Sequence, residues 1–259
     1  MKTLHRMCLF CLGVLLCALP ASGANFEFRG SIEAQDNTSG LLAYYVDKFS
    51  PEELFLSIDD YPDDAGRFRD LYMDLTGVLI GGVRLDKLTF RMYDVDFNAP
   101  SEWAAGNVEC KNALRIYAYC LLKEEDINRK LKSETFGKDD HWQNIFMTIS
   151  PSGLFARGIY AVRFLFTLNI AVEIESGLKI VNHKELWLDN YKFRVNAVDV
   201  PDYLTSKAIR QIQPLLDLGR FPLPLKLHSV EFQRGQAVFS TRIPPPHPQG
   251  GITYHYRAR

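Results

Sequence analysis

Apolar and polar residues alternate along much of this chain. In IYAVRFLFTLNIAVEIE, residues 159–175, the apolar Tyr160, Val162, Phe164, Phe166, Leu168, Ile170, Val172 and Ile174 share one parity. Arg163, Thr167, Asn169, Glu173 and Glu175 stand on the other. Period-two alternation marks a strand with one buried and one wet face. At about 3.3 Å per residue the stretch predicts a single strand roughly 50 Å long. Gly177 is expected to turn the chain and LKIVNHKELWL to return it. Asp189-Asn190 then turns it again into YKFRVNAV, giving a meander of long antiparallel strands.

The same rhythm recurs earlier. ELFLSIDDY reads as extended, and DLYMDLTGVLIGGVRLDKLTFRMYDVDF as two strands around Gly81-Gly82, with Leu88, Phe90 and Met92 on one face. Asn98 to Gly106 is a loop, and in ALRIYAYCLLK the residues Leu114, Ile116, Ala118, Cys120 and Leu122 fall in register. Helical spacing appears in three places. SGLLAYYVDKF carries Leu42, Val46 and Phe49; KEEDINRKLKSETF has an acidic first turn that suits the helix dipole. PDYLTSKAIRQIQPLLDL sets Leu204, Ala208, Ile212 and Leu215/Leu216 in one stripe behind Pro201 at the first helical position. A final hairpin follows, with Leu223, Leu225 and Leu227 on one face and a turn at Arg234-Gly235. The parity changes near His228-Ser229, which predicts a bulge. The fold class is α+β: one domain over residues 25–245, a long curved antiparallel sheet packed on or wrapped around a few amphipathic helices. Residues 246–259, past Pro244-Pro245-Pro246, read as a flexible tail with at most an edge strand at Ile252 to Tyr256.

The N-terminus changes the picture of compartment. Lys2 and Arg6 precede a short apolar run from Leu9 to Leu19, and Pro20 to Ala24 form a small-residue exit. This is the layout of a cleaved secretory signal over residues 1–24, so the chain is expected to be exported to a periplasm, an envelope or the medium. Cys8, Cys11 and Cys17 would leave with it. Cys110 and Cys120 would remain, and an oxidising compartment permits them to pair if the chain turns near Lys111-Asn112; two buried thiols are the alternative. Without Lys2 and Arg6 the chain carries 28 basic and 31 acidic residues. That balance argues against a nucleic-acid partner.

Catalytic signatures do not appear. The chain contains no HExxH, GxSxG, CxxC, P-loop or dinucleotide fingerprint, and its histidines are scattered without ligand spacing. No catalyst, cofactor or metal is expected. The positive signal is apolar surface, more than the helices can cover, so a second layer or a ligand must fill the rest. Burying a methylene contributes about 0.8 kcal/mol, and a groove for acyl chains therefore needs few polar groups. The candidate lining is Phe164, Phe166, Leu168 and Ile170 with Leu204, Ala208, Ile212, Leu215, Leu225 and Leu227. Arg210, Arg220 and Lys226 are the candidate contacts for anionic headgroups at its mouth.

Three blocks in order carry a family resemblance: Asp70 to Phe97, LLKEEDINRKL from Leu121 to Leu131, and NAVDVPDYLTSKAIRQIQPLLDLGRFPLPLKLHSVEFQRGQAVFST from Asn196 to Thr241. Together they resemble the LmeA-like phospholipid-binding family of bacterial envelope proteins. The chain departs from that pattern at Lys123, where a helix-capping Ser or Thr is expected, and in the PPPHPQGG tail. The resemblance implies a tubular-lipid-binding-like fold, a phospholipid or other acyl-chain lipid as partner, and transient contact with a membrane surface. The alternative is a non-enzymatic structural or interaction protein of the envelope with a dry core.

Overall fold

The structure, a computed structural model, describes residues 24–33, 35–133, 142–163, 167–241 and 243–259. The expected export signal lies, apart from Ala24, outside the described residues. The side chains of Leu168, Ala208, Ile212 and Arg220, and the whole of Phe164 and Phe166, also lie outside them.

The chain starts with strand β1 (Asn25–Arg29) and helix α1 (Asn37–Phe49). Then come β2 (Glu53–Ile58), β3 (Arg67–Ile80), β4 (Val83–Phe97) and β5 (Cys110–Lys123), which runs straight into helix α2 (Glu124–Ser133). Next are β6 (Trp142–Ser150), β7 (Gly153–Arg163), β8 (Thr167–Val181), β9 (Glu185–Val195) and the two-residue β10 (Val198–Asp199). Helix α3 (Asp202–Ile212) and the short β11 (Leu216–Asp217) lead back, and β12 (Ser229–Gln233), β13 (Gln236–Ser240) and β14 (Ile252–Arg257) close the chain. Two sheets result. The first has the order β1-β14-β2-β3-β4-β5-β13-β12, the second β10-β9-β8-β7-β6 with β11 on β9. Only β1 and β14 pair in parallel among the named strands.

Local sequence accounts for α1. Asp36 accepts from the Ser39 backbone N–H (2.8 Å) while the Ser39 hydroxyl accepts from the Asp36 N–H (3.3 Å), a reciprocal capping box. Leu41, Leu42, Tyr45 and Phe49 then point at the first sheet and are buried with Leu54, Leu56, Leu71, Met73 and Met92. Trp103, in a short 3-10 turn at Pro100–Ala105, stacks on Phe68 and donates its indole N–H to Asn98 Oδ1 (3.1 Å). This half of the molecule is a packed apolar core.

Four expectations need correction. The alternating run of residues 159–175 is two strands, not one. Arg163 pairs with Thr167 and Val162 with Leu168, so the chain reverses inside it. Cross-strand partners such as Tyr160 and Ile170, or Ala156 and Ile174, have equal parity. The apolar residues therefore stay on one face across the reversal, and no Gly, Pro or Asn announces it. Second, the chain does not turn at Gly177 or at Asp189-Asn190. These oppose each other at a register shift, where Asn190 (φ +47°) is the extra residue of a bulge. The bulge moves the apolar parity of β9 from Leu186 and Leu188 to Phe193 and Val195, keeping both pairs on one face. The actual turns are at Asn182-His183 and Asn196-Ala197, pairs of residues with positive φ that suit tight hairpins. Third, the tail does not hang free. Ile252–Arg257 is an interior strand between β1 and β2. The prolines carry the chain to it across the outer face of the first sheet. There Arg91 Nη1 donates to the Pro246 carbonyl (2.8 Å) and the His247 ring lies against Tyr72 and Phe55. Fourth, Leu223–Leu227 belongs to no strand, with the Leu225 N–H bonded to the Leu223 carbonyl (2.8 Å), so the parity change at His228-Ser229 is the start of β12 and no bulge.

Candidate functional site

Where the first sheet runs on past α1, its apolar face meets the second sheet. Register places Phe90 beside Ala118, Leu88 beside Cys120 and Cys120 beside Phe239, with Leu122 beside Ala237. Directly paired residues share a face, so β4, β5 and β13 present one continuous apolar wall. Met147, Ile149, Leu154, Leu178 and Leu186 of the second sheet form the wall opposite. A third wall is the segment after α3, through Leu215, Leu216, Leu218, Phe221, Leu225 and Leu227. Between them lies a cavity of about 350 Å³. Phe221 stacks on Phe49 (5.8 Å) and tilts against Phe90 (5.9 Å), closing the cavity toward the packed core.

Helix α2 fixes one side. Its Asn128 acts as a substitute strand: Oδ1 accepts from the Met147 N–H (2.7 Å) and Nδ2 donates to the Met147 carbonyl (2.8 Å). Glu124 accepts from the Ile149 N–H (2.7 Å). The backbone groups of β6 are thus satisfied at the two residues whose side chains line the cavity. On the other side of α2, the buried Asp126 carboxylate accepts from Arg84 (3.2 Å) and Arg129 (2.9 Å). Arg84 also forks onto Glu52 (2.8 Å to each oxygen) and reaches Asp86 (3.3 Å). The hydrogen bond to Glu52, more than any other contact, holds the Arg84 guanidinium above its ordinary pKa. Breaking a buried ion pair from one side leaves a charge without compensation. Arg84→Met is therefore expected to lower unfolding free energy by about 2–4 kcal/mol. Urea titration checks it; Arg84→Met with Asp126→Leu should recover part of the loss, since the buried charge left with only the exposed Arg129 as partner is then gone.

Three backbone hydrogen bonds hold the third wall to the second sheet. Leu215 N–H donates to Leu186, Leu218 to Lys184 and Leu227 to His183, each at 2.8 Å. The Ser240 and Thr241 hydroxyls on the walls are engaged inside the protein. Ser240 bonds Ser229 (2.7 Å), and Thr241 accepts from the Ala118 N–H (2.9 Å) and donates to the Ile243 carbonyl (3.1 Å). What the cavity offers a guest is mostly hydrocarbon.

Cys120, on the wall, is a free thiol that burial pushes up to about 12. Cys110 is likewise free and is pushed up to about 11, by burial first and by the Asp96 charge second. The pairing left open for them does not form: both sit on β5, ten residues apart on one extended strand, about 33 Å and far beyond disulfide reach. Raised thiol pKa values mean that the unfolded chain loses protons first. Stability is thus expected to be flat below pH ~8.5 and to fall as pH rises past it, through the range where only the unfolded thiols ionise. Native alkylation at pH 8 should run at least tenfold slower than in denaturant.

Of the residues predicted to line a lipid groove, the structure places Leu215, Leu225 and Leu227 on the walls of the cavity. Ile170 sits half-buried on β8, away from the lining, and Leu204 is exposed on α3. Phe164 and Phe166, with the side chains of Leu168, Ala208 and Ile212, fall outside the described residues. Lys226 is exposed between two lining leucines, whereas Arg210 is exposed on α3 and the Arg220 side chain lies outside the described residues. Sequence reading missed most of the lining: Leu88, Phe90, Ala118, Leu122, Met147, Ile149 and Phe239. Leu88 and Phe90, and Ala118 with Leu122, do stand in the alternating faces. Which faces oppose each other is not written in any one strand.

Among the described residues no group of His, Cys, Asp and Glu is arranged to hold a metal ion, and no helix is long and apolar enough to cross a membrane. Compared with known proteins, the chain matches a family described as LmeA-like phospholipid-binding over residues 65–242, more than half its length. The match includes β3 to β13 and so nearly every wall of the cavity. No curated protein and no solved structure matches the chain.

Proposed function

Because the chain belongs to the LmeA-like phospholipid-binding family, we propose that it is an exported, periplasmic or envelope-associated protein that holds the acyl portion of a phospholipid in the cavity between its sheets. One observation carries this reading: a space of about 350 Å³ whose walls come from both sheets, are almost wholly apolar, and hold Ser240 and Thr241 hydroxyls already bonded within the protein. Such a space gains by taking hydrocarbon, about 0.8 kcal/mol per methylene removed from water. Its role is lipid transfer or envelope maintenance, with transient contact at a membrane surface. Leu215 and Leu216 line the cavity yet remain 43% and 37% exposed, which makes them the rim a chain would cross. Lys226, exposed between the lining residues Leu225 and Leu227, is the cation we assign to an anionic headgroup. This chemistry needs no catalytic group.

The test is native mass spectrometry, with lipid extraction, on protein purified from its own type of envelope. A phospholipid retained at one per chain is the expected result. Lipid-free protein that also takes nothing from liposomes would sink the reading and leave an interaction protein with a dry core.

A further inference from the structure

We propose that the tip of the β3–β4 hairpin, with the end of α2 beside it, is the surface by which this protein seats on an anionic lipid bilayer. The proposal rests on the lipid-binding reading above and deepens it by naming the face that meets the membrane.

The tip itself is the first argument. A two-residue hairpin loop with positive φ at both positions favours glycine, and Gly81 (φ +58°) and Gly82 (φ +77°) fill it here, both exposed. Register sets Ile80 opposite Val83 and Leu79 opposite Arg84, and paired residues share a face. Ile80 and Val83 belong to the cavity lining, whereas Leu79, on the other face, is 48% exposed. Hydrocarbon thus stands on both faces of the tip. Its one polar side chain, Arg84, is engaged by Glu52, Asp86 and Asp126. A lone exposed leucine needs no explanation; this one ends a hairpin whose other face is cavity wall. Along β4 the lining is half-buried at Val83 and Leu85 and fully buried at Phe90. The lining therefore comes to the surface at the tip, as it does at Leu215 and Leu216.

Charge is the second argument. Helix α2 lays Lys130 against the tip, so closely that a side chain at Gly82 would collide with its ammonium. Lys132 is exposed on the same last turn. The acids nearby are matched: Glu52, Asp86 and Asp126 face Arg84, Lys123 or Arg129, and Glu125 acts on Lys123. Apolar side chains that enter the acyl boundary and cations that stay at the headgroups are the two signals a peripheral membrane surface combines. Each lysine held near an anionic surface strengthens binding about fivefold.

The experiment floats the purified protein with vesicles of phosphatidylglycerol and phosphatidylcholine, and with vesicles of phosphatidylcholine alone. Binding to the first is expected to be at least tenfold stronger. Leu79→Glu should weaken it at least tenfold with the melting temperature unchanged, because Leu79 is already half exposed. Leu114→Glu is the control. Leu114 is 67% exposed at the opposite end of the β4–β5 ladder, and its variant should bind like the parent. Leu79→Trp should gain blue-shifted emission over the parent when vesicles are added. Full binding by Leu79→Glu, an equal loss in Leu114→Glu, or equal binding to both vesicle types overturns the proposal. So does self-association that Leu79→Glu relieves, which would assign the tip to a second copy of the chain. Lipid retained from the protein's own envelope is weighed separately. Lipid-loaded protein that ignores vesicles overturns the docking surface alone; protein that neither retains nor takes up lipid overturns both readings.

Discussion

Ala237→Phe is expected to cut lipid recovered with the protein at least thirtyfold while leaving the melting temperature unchanged or a few degrees higher. Ala237 is 1% exposed, lies on β13 opposite Leu122, and lines the cavity. A phenyl ring built there occupies the space a ligand would use. Filling a void adds dispersion contacts where the walls now have no partner atoms, a change that commonly stabilises by about 0.5–2 kcal/mol. Loss of function with gain of stability is an unusual pairing, and it separates a binding cavity from an imperfectly packed core. The enlarging change Leu225→Ala gives the opposite pairing. It should cost about 2–5 kcal/mol as a large-to-small core substitution and still permit lipid uptake. Thermal denaturation and native mass spectrometry on the same samples read both variants. Ala237→Phe protein that still carries lipid would place the ligand elsewhere.

The contrast between these two residues also shows how far sequence could lead. Leu225 stands in a visible alternation and reads as lining; Ala237, in the β12–β13 hairpin that follows, does not. Alternation reports that a face is buried and is silent on what buries it. Strand β4 illustrates this within five residues: all three of Leu88, Phe90 and Met92 join the buried core, but only Leu88 and Phe90 also line the cavity. Turn chemistry misled in a related way. Gly177 and Asp189-Asn190 carry turn residues, but a bulge and a hairpin turn ask for the same backbone freedom, and here they form the bulge. The reversal between Arg163 and Thr167 had no such residues, and because it conserves parity it left no break in the pattern. Local elements with their own caps, such as α1 behind Asp36 and Ser39, were legible. Long-range apposition, which makes the cavity, was not.

Removing residues 249–259 is expected to abolish cooperative folding, although that segment reads as a tail. Its strand β14 joins β1 in parallel and β2 antiparallel, so its loss detaches β1 altogether and opens the sheet beside β2. Tyr254 is fully buried and Tyr256 7% exposed; Tyr254 stacks on Phe26 (4.9 Å) and donates to Asp36 Oδ2 (2.6 Å). Burial, and then its bond to the Asp36 carboxylate, hold the Tyr254 hydroxyl protonated well above its ordinary range. Deleting a large buried aromatic side chain costs about 3–5 kcal/mol, and this truncation deletes two along with eleven ladder positions. Domains of this size have about 5–15 kcal/mol in all, so the truncated chain should lose its thermal transition and accumulate as insoluble protein. Tyr254→Phe separates packing from polarity, since it keeps the ring and removes only the hydroxyl from the carboxylate that caps α1. It should fold, with a cost of about 1–3 kcal/mol. If β14 were a peripheral appendage, the truncated chain would instead melt within a degree or two of the parent. The physical reason to expect otherwise is placement: an interior strand holds its neighbours on both sides, and here one of those neighbours leads into the cap of the helix that covers the core.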